Sequence, residues 1–407
     1  MIVIVAGPYV GFPNGTAPTS RVTAYARGLA AAGEEVRVIL LGPSELDEVT
    51  AVNTDVIGVH RGIPFEYTSV STVKSRSLLT RRWRAWSSLF AARRRIRALA
   101  AEHTVDTILL YSTSVSIASL FRSVSRAVGA TYAVDLCEMP GYDLPPGAAR
   151  DRMQDRYGRR FVRRFDLVIA ISSRLAEYAT RYLRPGAEVV VVPVMVDCDE
   201  YAQDRPPVTD PRLITYAGLL NDSKDGIGDL MTAFARVAEH VPDVVLRLVG
   251  DTEYASASTI PLYRELAYEL GIADRVDFTG LVPRREIPRY LAEASVLVLA
   301  RPLNHQTDAG LPTKVGEYLA AGRPVVVTRT SDIAEYVRDG ESAYLVPSDD
   351  TDALAAKLRQ VLGDPDAAMR VGSVGRRVAR ERFDYRVTGR ALVEALRRHR
   401  QDNGRTA

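Results

Sequence analysis

Lys314 and Glu317 stand one helical turn apart in the segment Asp308-Ala-Gly-Leu-Pro-Thr-Lys-Val-Gly-Glu-Tyr-Leu-Ala-Ala-Gly-Arg-Pro-Val-Val-Val-Thr328. Gly310 and Pro312 precede a short helical pattern, Glu317 falls in its first turns, and Gly322 and Pro324 end it before a buried strand. A helix start offers free N–H groups and a positive dipole end, which suits a diphosphate, and Lys314 adds a mobile cation at the same edge. Glu317 can accept hydrogen bonds from two adjacent ribose hydroxyls. The same residues also fit a plain helix with a capping carboxylate.

Three further stretches carry reactive residue types. Asp135-Leu-Cys-Glu138 ends an apolar run, placing Asp135 and Glu138 where a sugar or acceptor hydroxyl can be oriented, with a loop-end cap as the other reading of Glu138. Gly11-Phe-Pro-Asn-Gly-Thr-Ala-Pro-Thr-Ser-Arg21 is a flexible glycine loop opening a helix, and Gly15 lets backbone N–H groups approach a ligand. Arg21 either meets a phosphate there or is simply solvated. The stretch 74–97 holds both tryptophans, Trp83 and Trp86, many arginines and no acid. Leu79, Trp83, Trp86 and Phe90 form a rough stripe at helical spacing. That stripe fits an anionic membrane or polyanionic acceptor, and equally a helix that packs its aromatics into the core and shows a basic face to solvent.

The elements that position these residues alternate apolar strands with helical periods. Strand 2–6, helix 20–32 and strand 35–41 begin a series that continues through strands 107–111, 131–135, 167–171 and 188–192, with a long Arg-rich helix at 150–164. Each strand is nearly all apolar, as a sheet covered on both faces requires. The periodicity stops at Asp204-Arg-Pro-Pro-Val-Thr-Asp-Pro211, which reads as a hinge. A second series follows, with strands at 213–217, 244–249, 276–279, 296–300, 324–328 and 342–346, then helices at 351–362, 365–383 and 385–398. Two doubly wound domains are expected, 1–205 and 206–383, with a final helix and tail over 384–407.

With 407 residues and 46% apolar content, the chain is long enough for two full cores. Fifty-three Lys and Arg against 50 Asp and Glu give a formal charge of +3, which does not mark a nucleic-acid binder. Two cysteines, Cys137 and Cys198, are too few for a disulfide framework or a zinc cage, and no metal is expected. No apolar run approaches the ~20 residues that span a bilayer. The opening Met1-Ile-Val-Ile-Val-Ala-Gly7 lacks a basic leader and reads as a strand, so a cytoplasmic protein is expected, with contact at the inner membrane face through 74–97 as the further option.

Gly310-Leu-Pro-Thr-Lys-Val-Gly-Glu-Tyr-Leu-Ala-Ala-Gly-Arg-Pro-Val-Val326 resembles the donor-site segment of GT-B glycosyltransferases, specifically family 4, the group 1 retaining enzymes. The resemblance extends over almost the whole chain. It takes in the glycine loop after the first strand, Ala170-Ile-Ser-Ser173, Val192-Pro-Val-Met-Val-Asp197, Tyr216-Ala-Gly218, Leu248-Val-Gly-Asp251 and Val276-Asp-Phe-Thr-Gly280. It implies two Rossmann-like α/β domains facing a central cleft, with the last helix crossing back to the first domain. It also implies metal-independent transfer of a sugar from a nucleotide diphosphate sugar to a hydroxyl acceptor, with retention at the anomeric carbon. The acceptor would be an envelope polysaccharide, a glycolipid, another lipid-linked molecule or a secondary metabolite.

By position, the resemblance gives Glu317 the nucleotide ribose. It brings Gly310 and Leu311 to the sugar or phosphates through their backbone N–H groups, and Lys224 to the diphosphate. Gly218 belongs to the turn after the first strand of the second series. Two positions depart from the family: Ala309 replaces a frequent glutamate, with Asp308 beside it, and Leu219 replaces an arginine that commonly follows Gly218. A subset of the family carries Pro-x-Lys-x-x-Glu-Tyr, matched here by Pro312, Lys314, Glu317 and Tyr318. Lys314, or Arg301 as a second cation, then supplies the missing phosphate charge, and Asp308 covers the sugar hydroxyls. Two rivals stay open, a nucleotide-sugar epimerase and an inactive partner that binds nucleotide sugar.

Overall fold

The computed structural model describes residues 1–202, 212–251 and 258–404. The hinge expected at 204–211 lies outside the described residues. The chain divides into two compact units, Met1–Met195 together with everything from Tyr385 on, and Val196–Asp384.

The first unit is built on eight strands: β1 (Ile2–Ala6), β2 (Val36–Leu40), β3 (Ile57–His60), β4 (Ile63–Tyr67), β5 (Thr107–Tyr111), β6 (Thr131–Leu136), β7 (Leu167–Ala170) and β8 (Glu188–Val191). Their order is β3-β4-β2-β1-β5-β6-β7-β8, and every pairing is parallel except that of β3 with β4. Ile2, Val3, Ile4, Val5 and Ala6 are all buried, because helices cover both faces of a parallel sheet. The β3–β4 hairpin was not expected from periodicity. It turns on Arg61 and Gly62, both at positive φ (49° and 81°), as a two-residue turn between antiparallel strands demands.

The helix Tyr385–Asp402 packs on the helix Ala17–Ala31 within this unit. Gly28 and Gly389 make that crossing close: a Cβ on Gly28 would lie 2.6 Å from the Tyr385 carbonyl oxygen, and one on Gly389 2.3 Å from the Gly28 carbonyl carbon. Arg27 donates to the Tyr385 hydroxyl (2.9 Å) and Arg397 pairs with Glu34 (2.8 Å), fixing both ends of the contact.

The second unit carries six parallel strands: β9 (Arg212–Ala217), β10 (Val244–Val249), β11 (Val276–Gly280), β12 (Val296–Leu299), β13 (Val325–Thr328) and β14 (Tyr344–Val346). Their order is β11-β10-β9-β12-β13-β14. Strand order reverses between β9 and β12 here, and between β1 and β5 in the first unit. Connections leave to opposite sides at such a point and open a crevice at the carboxyl ends of the strands.

Candidate donor site and its counterpart in the first unit

The β9/β12 switch point brings together Lys224, Asp225, Arg301 and Lys314. After β9 the chain passes Gly218 and reaches Asn221, whose side chain caps the short helix Asp222–Asp225 by accepting from the Lys224 N–H (2.9 Å). Arg301, buried, follows β12. The helix Thr313–Ala321 begins at Pro312 without a side-chain cap and brings Lys314 to the same place.

There the Lys314 ammonium donates to the Asp225 carboxylate at 3.0 Å and lies 5.4 Å from the centre of the Tyr216 ring. Gly218 makes room for it: a Cβ at that position would fall 2.1 Å from Lys314 Cε. Burial pulls the Lys314 pKa down and Asp225 pushes it back up, while Arg301 and Lys224 add repulsion of the same sign as burial. Lys314 thus pairs with one buried carboxylate while two further cations, Arg301 and Lys224, act on it electrostatically. Tyr318 ties the helix to β9, exchanging hydrogen bonds with the N–H (2.7 Å) and carbonyl (3.1 Å) of Ala217.

Glu317 sits in the second turn of that helix, with Arg284 at 3.5 Å and a hydrogen bond shared with the Tyr201 hydroxyl. Burial, then Glu317, hold the Tyr201 pKa well above its ordinary value, so Tyr201 is the donor. Neither Tyr201 nor Arg284 has a local sequence signature, since both come from distant segments.

The expectation for Gly310 is corrected. Its N–H closes the short helix His305–Ala309 by donating to the Gln306 carbonyl (3.0 Å), so it does not point to a ligand. Asn304 starts this helix with a reciprocal cap that includes Thr307, and Asn304 and Thr307 would have revealed it in the sequence. Asp308 lies half-buried on the same helix, while Ala309 and Leu311 are buried.

In the first unit the reading of Arg21 changes more. Arg21 neither meets solvent nor stands free for a phosphate. Its Nε and Nη2 each donate to Asp135 at 2.7 Å, and the Tyr25 hydroxyl donates to the same carboxylate at 2.7 Å. The Asp135 side chain has no exposed surface, so its carboxylate is a partner for Arg21 rather than a group presented to a hydroxyl. Glu138, half-buried, acts electrostatically on Tyr9 at the mouth of β1, β5 and β6.

The glycine loop after β1 is braced, not flexible. The Tyr67 hydroxyl accepts from the Phe12 N–H (2.8 Å) and donates to the Phe12 carbonyl (2.7 Å). Asn53 accepts from the Asn14 N–H (2.8 Å) and donates to the Asn14 carbonyl (2.7 Å). Gly15 packs on Thr19, whose hydroxyl lies 2.2 Å from where a Cβ would be, so it serves loop packing.

The helix Leu78–Glu102 inserts Ser88, Ala92, Ile96 and Leu99 into the core. Trp83 and Trp86 remain 67% and 65% exposed, and Leu79 and Phe90 are exposed beside them, which overturns the core-packing reading of the stripe. Arg81, Arg82, Arg94 and Arg97 are exposed on the same helix.

Two family models match the chain: "Glycosyl transferase 4-like domain" over residues 16–195, and "Glycosyl transferases group 1" over residues 211–364. The chain is a group 1 glycosyltransferase. A GDP-mannose-dependent alpha-(1-6)-phosphatidylinositol monomannoside mannosyltransferase of Mycolicibacterium smegmatis is 27% identical over 323 residues, covering 75% of this chain and 80% of that protein. An MMP alpha-(1->4)-mannosyltransferase of Mycolicibacterium hassiacum is 31% identical over 57% of this chain and 53% of its own length. Among solved structures, sucrose-phosphate synthase from Thermosynechococcus elongatus aligns with a TM-score of 0.72 at 19% identity, covering 98% of each chain. Anabaena HepE, solved with UDP, aligns at 0.70 and 17%, covering 98% of this chain and 100% of that one. The glycosyltransferase thus has the GT-B fold of two Rossmann-like domains.

Proposed function

We propose that this glycosyltransferase is a retaining, metal-independent enzyme that moves a hexosyl unit, mannosyl from GDP-mannose first among the donors to test, onto a hydroxyl of a lipid-linked acceptor. The observation that carries the reading is the convergence of Lys224, Arg301 and Lys314 at the β9/β12 switch point, with Glu317 one turn further along the same helix as Lys314. Three cations less the Asp225 carboxylate leave about two positive charges, which match the two negative charges of a sugar-nucleotide diphosphate without calling on a divalent ion. The choice of mannosyl donor is supported by the names of the two mycobacterial relatives.

In the reaction, the anomeric C–O bond to the diphosphate breaks and the acceptor oxygen bonds to the same face of that carbon. The acceptor's proton passes to a phosphate oxygen of the departing nucleotide. Negative charge grows on the diphosphate as the bond breaks, and cations fixed beforehand stabilise it more than they stabilise the intact donor. Glu317 takes the two ribose hydroxyls in exchange for its long contact with Arg284. Asp308 serves the sugar hydroxyls, and Glu138 with Tyr9 orients the acceptor.

Calorimetric titration with GDP, UDP, ADP, dTDP and CDP tests the donor site. One nucleotide is expected to bind at micromolar strength, and Glu317→Ala to weaken it more than tenfold, about 1.4 kcal/mol. If none binds, or the substitution changes nothing, the donor reading fails.

The exposed aromatic stripe supports an acceptor met at a membrane surface. Indole rings suit the headgroup boundary and arginines add attraction to anionic lipid. Among the described residues no helix is long and apolar enough to cross a membrane, so such contact would be peripheral. Sedimentation with vesicles of phosphatidylglycerol and phosphatidylcholine is expected to retain the wild type, and to lose the double variant Trp83→Ala/Trp86→Ala. Equal sedimentation of both proteins would remove the membrane from the reading.

A further inference from the structure

The Lys314 side chain has a four-carbon stem and no fixed direction of its own, so an ammonium that is to meet a phosphate has to be held in place by its surroundings. Asp225 meets it from a segment 89 residues away. The backbone of Asp225 is itself locked on both sides. Its N–H donates to the Asn221 carbonyl (2.8 Å), and the next residue, Gly226, lies at φ 64° so close to the loop after β12 that a Cβ there would fall 2.1 Å from the Ala300 carbonyl oxygen. The carboxylate is 1% exposed.

We propose that Asp225 is a positioning residue for the donor's diphosphate: its buried carboxylate fixes the Lys314 ammonium in the space that Gly218 leaves open. The inference rests on the donor reading above and adds a residue to it. The groups acting on Lys314 are Tyr216 on β9, Lys224 and Asp225 on the short helix, and Arg301 after β12. Of these, Asp225 alone carries a charge that favours the ammonium form. Without it, burial, Lys224 and Arg301 all act to discharge Lys314, and an uncharged amine gives little to a phosphate.

The sign of the pH effect follows. Removing Asp225 lowers the pH at which Lys314 loses its proton, so binding of a nucleoside diphosphate should fail first on the alkaline side. GDP and UDP are titrated calorimetrically at pH 7.0 and 8.5 into the wild type, Asp225→Asn, Lys314→Ala, Asp225→Asn/Lys314→Ala and Asp225→Asn/Lys314→Arg.

Relative to wild type at each pH, Asp225→Asn is expected to bind more weakly, by a factor several-fold larger at pH 8.5 than at pH 7.0. Lys314→Ala should be weak at both, and adding Asp225→Asn to it should cost nothing further. Arginine at 314 keeps its charge and should abolish the pH dependence. Wild-type binding by Asp225→Asn at both pH values, or a loss equal at both that adds to that of Lys314→Ala, overturns the proposal and leaves the donor reading standing. If the wild type binds none of GDP, UDP, ADP, dTDP and CDP, the donor reading falls and this inference with it; if it binds one of the last three, that nucleotide replaces GDP and UDP in these titrations. Should Asp225→Asn not fold, Asp225→Glu carries the test: a longer carboxylate keeps the charge but shifts the ammonium, giving weaker binding with the wild-type pH profile, and unchanged binding overturns the proposal.

Discussion

Arg21→Ala is expected to destabilise the first unit by about 3–5 kcal/mol, the cost of leaving a buried carboxylate without its countercharge. Asp135 accepts two hydrogen bonds from Arg21 and one from Tyr25 and has no exposed surface, so water cannot replace the guanidinium. Against a total of roughly 5–15 kcal/mol for a typical domain, that loss is severe. Urea unfolding followed by circular dichroism reads it as a fall in the midpoint at unchanged slope. The double replacement Arg21→Met/Asp135→Leu should recover most of the loss, because a well-packed apolar pair avoids the desolvation of both charges. A shift below about 1 kcal/mol for Arg21→Ala would place the pair in water, contrary to its burial.

Lys314→Ala is expected to lower kcat/KM for transfer by about 10²–10³, or roughly 2.7–4 kcal/mol of transition-state stabilisation, the range for losing one fixed donor to developing charge. The fall should lie mainly in kcat, since the diphosphate gains negative charge only as the anomeric bond breaks. Lys314→Arg should recover little of it. The cleft around Gly218 is shaped to a narrow stem, with a Cβ there only 2.1 Å from Lys314 Cε, and a planar guanidinium does not occupy the same path. Steady-state kinetics with the donor identified by calorimetry decides this, and a wild-type kcat in Lys314→Ala would withdraw Lys314 from the reaction. The Asp225→Asn/Lys314→Arg protein described above is read only for the pH dependence of nucleotide binding, which a permanent charge removes whatever the strength of that binding.

Periodicity and composition settle much of this protein by themselves. Apolar runs such as Ile2–Ala6 and Val296–Leu299, each followed by a helical period, specify parallel sheets buried on both faces, because side chains repeat every two residues in a strand and every 3.6 in a helix. The Lys314–Glu317 spacing is legible for the same reason: within one helix, sequence distance is spatial distance. Tertiary structure decided what lies between segments. Arg21 and Asp135 are 114 residues apart, and Lys314 and Asp225 are 89 apart. No local pattern says that an arginine opening a helix will be buried against a strand end, or that an aspartate beside Lys224 will claim Lys314. The Gly310 N–H is not available to a ligand because Asn304 and Thr307 start a helix that spends it. The sequence leaves the placement of Trp83 and Trp86 open because an amphipathic stripe states that a helix has an apolar face, and only the packing of Ser88, Ala92, Ile96 and Leu99 decides which face is left outside.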